Sequence, residues 1–226
     1  MIRNIPAFVL SLLLVACTKD NLVKEGLGNI PPHIEIIYEK ALNGDPESQD
    51  RIGEVFQYGD HGVKKDYNKA FKWYDLAARQ GYESAQNSLG LFYAGGLGVK
   101  EDCGESIKWF RYAYFNGYKT AKGNLVWMLS TCNDDSMRDG KLALSLAIED
   151  LKENGTDLKR LDNLAAALAE NKKFEDAIKI QTKLISVLEQ TEQKARLREH
   201  RRKLNSYQNE KPWRGASYDD PDGFSK

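Results

Sequence analysis

The sequence predicts an all-α fold, an α/α solenoid of repeated helix–turn–helix units. Three observations support this: an internal repeat with a period of 36 residues, apolar residues at helical spacing, and polar or glycine residues at the predicted helix ends. At an offset of 36, Asp66, Ala70, Trp73, Tyr74, Ala77 and Gly81 recur as Asp102, Ser106, Trp109, Phe110, Ala113 and Gly117.

The amino-acid composition excludes several classes of protein. The 226 residues carry 33 basic and 33 acidic side chains, so no overall charge selects nucleic acid as a partner. A hydrophobic share of 41% can supply a core and excludes a wholly disordered chain, while a charged share of 29% excludes a polytopic membrane protein. Three Cys and three His provide few potential ligands for a metal ion, and we expect neither a metal nor a cofactor.

The first element is a predicted signal peptide, residues 1–16. Its apolar run from Ile5 to Val15 is too short to span a membrane but suits a signal-peptide core. The run ends in Leu14-Val15-Ala16-Cys17, which resembles the bacterial lipobox. This resemblance implies lipidation of Cys17 and, with Thr18 following, an outer-membrane location facing the periplasm. The alternative is an ordinary secretory signal. Residues 17–31 read as a tether.

The repeated units follow, each read as a helical hairpin. Ala85, Leu89, Phe92 and Tyr93 fall at 0, 4, 7 and 8 on one helix face. Ala70, Trp73, Tyr74, Ala77 and Ala78 fall at 0, 3, 4, 7 and 8 on the next helix. Asp66 and Asp102 are predicted N-caps, and Gly81 and Gly117 are predicted left-handed residues after the helices.

These residues resemble the Sel-one-like repeat (SLR) family, over residues 32–155. The segment LGLFYAGGLGVKEDCGESIKWFRYAYFNGYKTA, residues 89–121, follows the family pattern, with Ser106 and Tyr114 at positions that are usually Ala. The resemblance implies α/α hairpins in a right-handed superhelix that binds a protein or peptide partner. The loops 58–66 and 93–102 contain Gly and Lys but lack a phosphate-loop motif, so turn geometry explains them.

The C-terminal segments differ from the repeats that precede them. Residues 156–190 resemble a tetratricopeptide repeat (TPR), 191–214 are a predicted basic capping helix, and 215–226 are a predicted disordered acidic tail. The cap carries eight basic and three acidic residues. It either meets anionic lipid headgroups or an acidic partner, or forms a solvated face anchored by Leu197 and Leu204.

Candidate site residues are few. Cys103 and Cys132 would lie level across one hairpin, and either form a disulfide or remain two buried thiols. His33, His61 and His200 are predicted to fall in different structural units, with structural or solvated roles. Aromatic residues beyond the needs of the repeat are candidate partner contacts: Tyr67, Tyr112, Tyr114, Phe115 and Trp127, of which Tyr114 is the preferred exposed contact.

The predicted function is a non-enzymatic interaction scaffold, an envelope lipoprotein held to the membrane by its N-terminal lipid and binding no nucleic acid. The alternative is an immunity lipoprotein that neutralises an antibacterial effector such as a lipase, a role that the resemblance to some SLR lipoproteins implies. Cysteine-rich relatives of the family are linked to β-lactam binding or hydrolysis. This chain lacks their regular Cys pattern and an SxxK motif, so an enzyme is disfavoured.

Overall fold

The computed structural model describes residues 30–190 and 194–215. The described residues exclude the predicted signal peptide, Cys17 and nearly all of the predicted tether. They also exclude the predicted tail, apart from its first residue. No helix in the described part of the chain combines the length and the apolar character needed to cross a membrane.

The described residues form ten α-helices and one short 3-10 helix, with no strand among them, and the predicted all-α class is confirmed. The helices are α1 (Pro32–Leu42), α2 (Pro46–Tyr58), α3 (Tyr67–Ala78), α4 (Glu83–Gly95), α5 (Cys103–Phe115), α6 (Ala121–Thr131), α7 (Gly140–Asn154), α8 (Leu158–Glu170), α9 (Phe174–Gln190) and α10 (Lys194–Gln208). The 3-10 helix, Asp135–Met137, lies between α6 and α7. The chain divides into two compact units at Gln80 and Gly81.

In the first unit, α1, α2 and α3 pack in sequence. Asp66 is the N-cap of α3 and accepts a 3.0 Å hydrogen bond from the backbone N–H of Lys69, which confirms its predicted role. Tyr38 of α1 lies edge-on to Trp73 of α3, with ring centroids 5.8 Å apart. The Tyr74 hydroxyl lies 2.6 Å from Oε1 of Gln57 and joins α3 to α2 in the interior.

The second unit begins with the hairpin of α4 and α5. Asp102 caps α5 by accepting a 3.0 Å hydrogen bond from the backbone N–H of Glu105, as predicted. Ser106 is tolerated at a position that is usually Ala because its buried hydroxyl donates a 2.8 Å hydrogen bond to the carbonyl oxygen of Gly90. A Cβ added to Gly90 would lie 2.5 Å from the Phe110 ring, so the absence of a side chain lets the two helices pack closely.

Helices α6 to α10 complete the second unit. All eleven residues of α6 are buried, and this helix packs against α5, α7 and α8. The predicted TPR-like segment contains the packed pair α8 and α9, and α10 packs on α9. Four small residues of α8, Ala165, Ala166, Ala167 and Ala169, are buried and allow the neighbouring helices to approach closely.

Candidate interaction surfaces

One exposed apolar surface lies on α5. Lys108, Tyr112 and Phe115 are spaced at 0, 4 and 7, so they form one strip along the helix, here named the aromatic strip. Tyr112 is 47% exposed and Phe115 is 79% exposed. Trp109, buried beneath the strip, lies edge-on to Tyr112 at 5.6 Å between ring centroids and fixes the position of that ring. The strip therefore offers two aromatic anchors to a partner.

Tyr114, the preferred contact from the sequence, is half-buried instead. Its ring lies 5.4 Å from Nζ of Lys122, which forms ion pairs with Glu149, at 2.9 Å, and with Glu153. Burial lowers the pKa of Lys122, but the hydrogen bonds that its ammonium group donates to the two carboxylates outweigh burial and hold its pKa above the usual value. Tyr114 thus belongs to a packed polar cluster, and the more exposed aromatics are its neighbours on α5.

The two other predicted contacts lie in different environments. Tyr67, in the first unit, is half-buried, with Nζ of Lys65 lying 4.7 Å from its ring centroid. Trp127 is only 6% exposed and belongs to the hydrophobic core of the second unit. The predicted partner contact at Trp127 is therefore wrong, because α6 is covered along its whole length by its neighbours.

Cys103 and Cys132 are joined as a disulfide in the structure, with Cα atoms 6.0 Å apart. Cys103 begins α5 and Cys132 directly follows α6, so the bond ties the start of one helix to the end of the next. The guanidinium of Arg138 donates a 2.7 Å hydrogen bond to the carbonyl oxygen of Cys132 and pairs with Glu170 at 2.8 Å. This end of the hairpin is therefore anchored on several sides.

The three histidines lie in different structural elements, but two of them meet in the structure. His33 and His61 both belong to the first unit, and their rings meet edge-on with centroids 5.1 Å apart. Both are exposed. The sequence carries no local signal for this contact, because it joins the start of α1 to the loop after α2. Within the described residues, no group of three or more His, Cys, Asp or Glu side chains could hold a metal ion.

The inward face of α10 is polar. His200, Lys203 and Tyr207, at spacings of 0, 3 and 7, are all almost fully buried. Nδ1 of His200 lies 2.6 Å from Nε2 of Gln181 on α9. The predicted anchors Leu197 and Leu204 are only half-buried, so a face anchored mainly by these two leucines is not what the structure shows.

Lys203 is the centre of this buried cluster. Its Nζ forms ion pairs with Asp162 of α8 at 2.7 Å and with Glu199 at 2.8 Å, and lies 4.5 Å from the centroid of the Trp127 ring. Burial lowers the pKa of a lysine, but the two carboxylates outweigh it, and the pKa of Lys203 is raised. Lys203 is therefore a buried cation that joins the cap to the solenoid. Sequence reasoning missed this role, although the helical spacing of three polar residues was visible.

The outward face of α10 forms a second surface, here named the basic groove. Its volume is about 790 Å³. Its lining residues are Arg198, Arg201, Arg202, Asn205, Ser206, Asn209, Lys211 and Trp213. The predicted basic segment is thus divided by the fold: Lys203 is buried in ion pairs, while three arginines of α10 line a surface recess.

A third surface, the apolar groove, lies where α7, α8 and α9 meet. Leu144, Ile148, Leu164, Leu168 and Ile180 line a recess of about 370 Å³, with charged residues Lys173, Asp176 and Lys179 also along it. Ile148 is 42% exposed. The groove spans the boundary between the predicted SLR segment, which supplies Leu144 and Ile148, and the predicted TPR-like segment, which supplies the other lining residues.

Comparison with known proteins identifies the repeats. The Sel1 repeat family model matches residues 46–82 and 83–118. A Sel1-like repeat-containing protein of Acanthamoeba polyphaga mimivirus is 40% identical over 58 residues, which are 26% of this chain and 11% of that protein. The family model covers the central part of the segment 32–155 that the sequence pattern indicated, namely the two units with the strongest internal match.

Two solved structures share the fold. The Sel1 repeat protein from Oxalobacter formigenes has a TM-score of 0.50 and 23% identity, over 68% of this chain and 63% of that one. The protective antigen c5321 of uropathogenic Escherichia coli, described as displaying an SLR fold, has a TM-score of 0.53 and 24% identity, over 78% of this chain and 41% of that one. This chain therefore spans less than two thirds of each of these relatives. Residues 46–82 and 83–118 therefore match the Sel1 repeat family, and the chain shares the all-helical fold of these two solved structures.

Proposed function

We propose that this protein is an interaction scaffold that binds a protein partner through its helical repeats while lipidated Cys17 holds it at the bacterial envelope. The observation that carries the binding role is the aromatic strip within the second segment matched by the Sel1 repeat model, with Phe115 79% exposed. Large aromatic side chains that remain in water are common anchors at protein interfaces, because their burial by a partner is strongly favourable.

The position of the strip supports this role. Tyr112 and Phe115 lie on a helix that is held by the disulfide at its first residue and by buried Trp109 and Phe110 along its inner face. A helix that is held in this way loses little backbone entropy on binding. The aromatic strip is therefore preorganised for a partner.

Site-specific photo-crosslinking in the native envelope tests the binding role. A benzophenone amino acid is placed at Tyr112 or Phe115 and, as the control, at Ile36, an exposed apolar residue of α1. We expect one discrete adduct from both strip positions and none from Ile36. Absence of a discrete adduct from the strip, or the same adducts from all three positions, would contradict the proposal.

The identity of the adduct separates the two functional classes. A partner that is an envelope component supports the scaffold. A partner that is an antibacterial effector, such as a lipase, supports the immunity role instead, and Tyr112→Ala with Phe115→Ala would then leave cells sensitive to that effector.

Membrane anchoring is tested by Cys17→Ala. The lipobox resemblance leads us to expect that the variant is released from membranes or accumulates unprocessed, because two or three acyl chains give stable anchoring and none remain. Thr18→Ser is the matched control and should fractionate with membranes. Unchanged fractionation of Cys17→Ala would refute lipidation.

A further inference from the structure

The basic groove on the outward face of α10 carries an excess of positive charge. Arg201 forms an ion pair with Glu189 at 2.8 Å, and the Arg202 guanidinium lies 5.5 Å from the ring centroid of Trp213. Among the described residues, neither Arg198 nor Lys211 forms an ion pair, and no acidic residue lines the groove. A recess lined by four cations on the surface attracts anionic ligands.

The groove is also held in shape from beneath. On the opposite face of α10, buried Lys203 pairs with Asp162, which fixes the rotation of the helix and so the direction of its arginines. Trp213 packs against the hydrophobic core. The next residue, Arg214, pairs with Glu170 at 2.7 Å and donates a 3.2 Å hydrogen bond to the carbonyl oxygen of Ser130. The backbone beneath the groove is therefore held in place and loses little entropy when a ligand binds.

We propose that the basic groove binds an acidic peptide segment of the protein partner, an inference that rests on the proposed scaffold function. Guanidinium groups match carboxylates in charge and in planar geometry, and can donate two parallel hydrogen bonds to each. Arg198, Arg201 and Arg202 present three such groups within two turns of one helix face.

The shape of the site favours a peptide over a bilayer. The lining residues run along α10 from Arg198 to Asn209, the residue that follows the helix, a distance of roughly 16 Å at the helical rise. An extended segment of about five residues spans that length. A recess of about 790 Å³ accepts a chain that enters it, whereas a plane of lipid headgroups would meet only the most protruding cations.

Direct binding measurements test the proposal. The probe is a fluorescein-labelled ten-residue peptide with five glutamates, and its control has glutamine at those five positions. Fluorescence anisotropy with the full chain should show binding of the glutamate peptide only, and the binding should weaken as salt is added. The variant Arg198→Glu with Arg202→Glu should weaken binding about tenfold or more, because charge-assisted hydrogen bonds are replaced by repulsion.

A matched variant controls for overall charge. Lys72→Glu with Lys119→Glu alters two exposed lysines and changes the net charge by the same amount. It should retain wild-type binding within about twofold, because neither lysine lines the groove. If the arginine-to-glutamate variant fails to fold, Arg198→Gln with Arg202→Gln should still weaken binding. Equal binding by wild-type and groove variants would overturn the proposal.

Two other occupants are outcomes of the same experiment. Groove-dependent binding to vesicles rich in phosphatidylglycerol, without binding to the peptide, would overturn the proposal in favour of a lipid surface. Peptide binding that appears only after Asp219→Asn, Asp220→Asn and Asp222→Asn would assign the groove to the acidic stretch of the chain itself.

The failure of this inference is distinguishable from failure of the scaffold. Loss of peptide binding concerns the basic groove alone, and photo-crosslinks from Tyr112 and Phe115 would persist. Absence of those crosslinks would remove the proposed function even if the groove bound the peptide.

Discussion

The ammonium group of Lys203 donates a 2.7 Å hydrogen bond to Oδ2 of Asp162, and this buried pair joins α10 to α8 across 41 residues of sequence. Lys203 is 1% exposed. Glu199 and the Trp127 ring complete its surroundings. The pair determines which face of α10 packs inward and which face lines the basic groove.

Lys203→Met should destabilise the protein by about 3–5 kcal/mol, because the substitution leaves the buried carboxylate of Asp162 without its cation. Urea unfolding followed by circular dichroism measures the change. Arg198→Met, at an exposed position of the same helix, should change the free energy of unfolding by no more than about 0.5 kcal/mol. Equal effects at the two positions would show that the buried pair does not stabilise the fold.

Gly90→Ala should destabilise the α4–α5 hairpin by about 1–3 kcal/mol, because the new methyl group would lie 2.5 Å from the Phe110 ring and the helices must shift apart. Thermal unfolding measures the loss. Gly104→Ala is the control, since its added methyl group would meet Asp102 and the flexible Met137 side chain at no less than 3.3 Å. Gly90→Ala should cost less in a Phe110→Leu background than in the wild type, and an equal cost in both backgrounds would place the strain elsewhere.

Replacement of Cys103 and Cys132 by Ser should lower the free energy of unfolding by about 3–4 kcal/mol, the loop-entropy value for a separation of 29 residues. Mass spectrometry after alkylation without reductant measures the bond in the native protein. Two alkylated thiols at these positions would contradict the disulfide. A reductant should lower the melting temperature of the wild type but leave that of the double variant unchanged.

Tyr38→Phe should make the protein less sensitive to alkaline pH. Burial raises the pKa of Tyr38 to about 12, above the value of about 10 in an unfolded chain. Between these values the unfolded chain loses the proton and the folded chain keeps it, so stability falls as pH rises. Urea midpoints at pH 9 and pH 11 should therefore differ more for the wild type than for Tyr38→Phe. Equal differences would show that Tyr38 does not cause the effect.

Local signals explain which parts of the fold the sequence predicted. Asp66 and Asp102 cap their helices through backbone groups three residues away, and Gly81 and Gly117 take the positive φ values, +90° and +89°, expected after the helices. Such features depend on neighbours in the chain and on the 36-residue period, so a pattern reveals them. The sequence also pointed to Cys103 and Cys132 as a pair, because their positions are symmetric about the hairpin turn.

The candidate surfaces depended on contacts that no local pattern encodes. The sequence pattern does not distinguish a buried aromatic residue, such as Trp127, from an exposed one, such as Phe115.

The sequence alone thus determined the helical repeats, their caps and the lipobox resemblance, because these arise from short-range spacing. Tertiary structure decided that Lys203 is buried while Arg198 is exposed, although both are basic residues of α10. The physical reason is that the ion pair between Lys203 and Asp162 compensates the cost of burying a charge, and only the packing of α10 near α8 brings that carboxylate within reach.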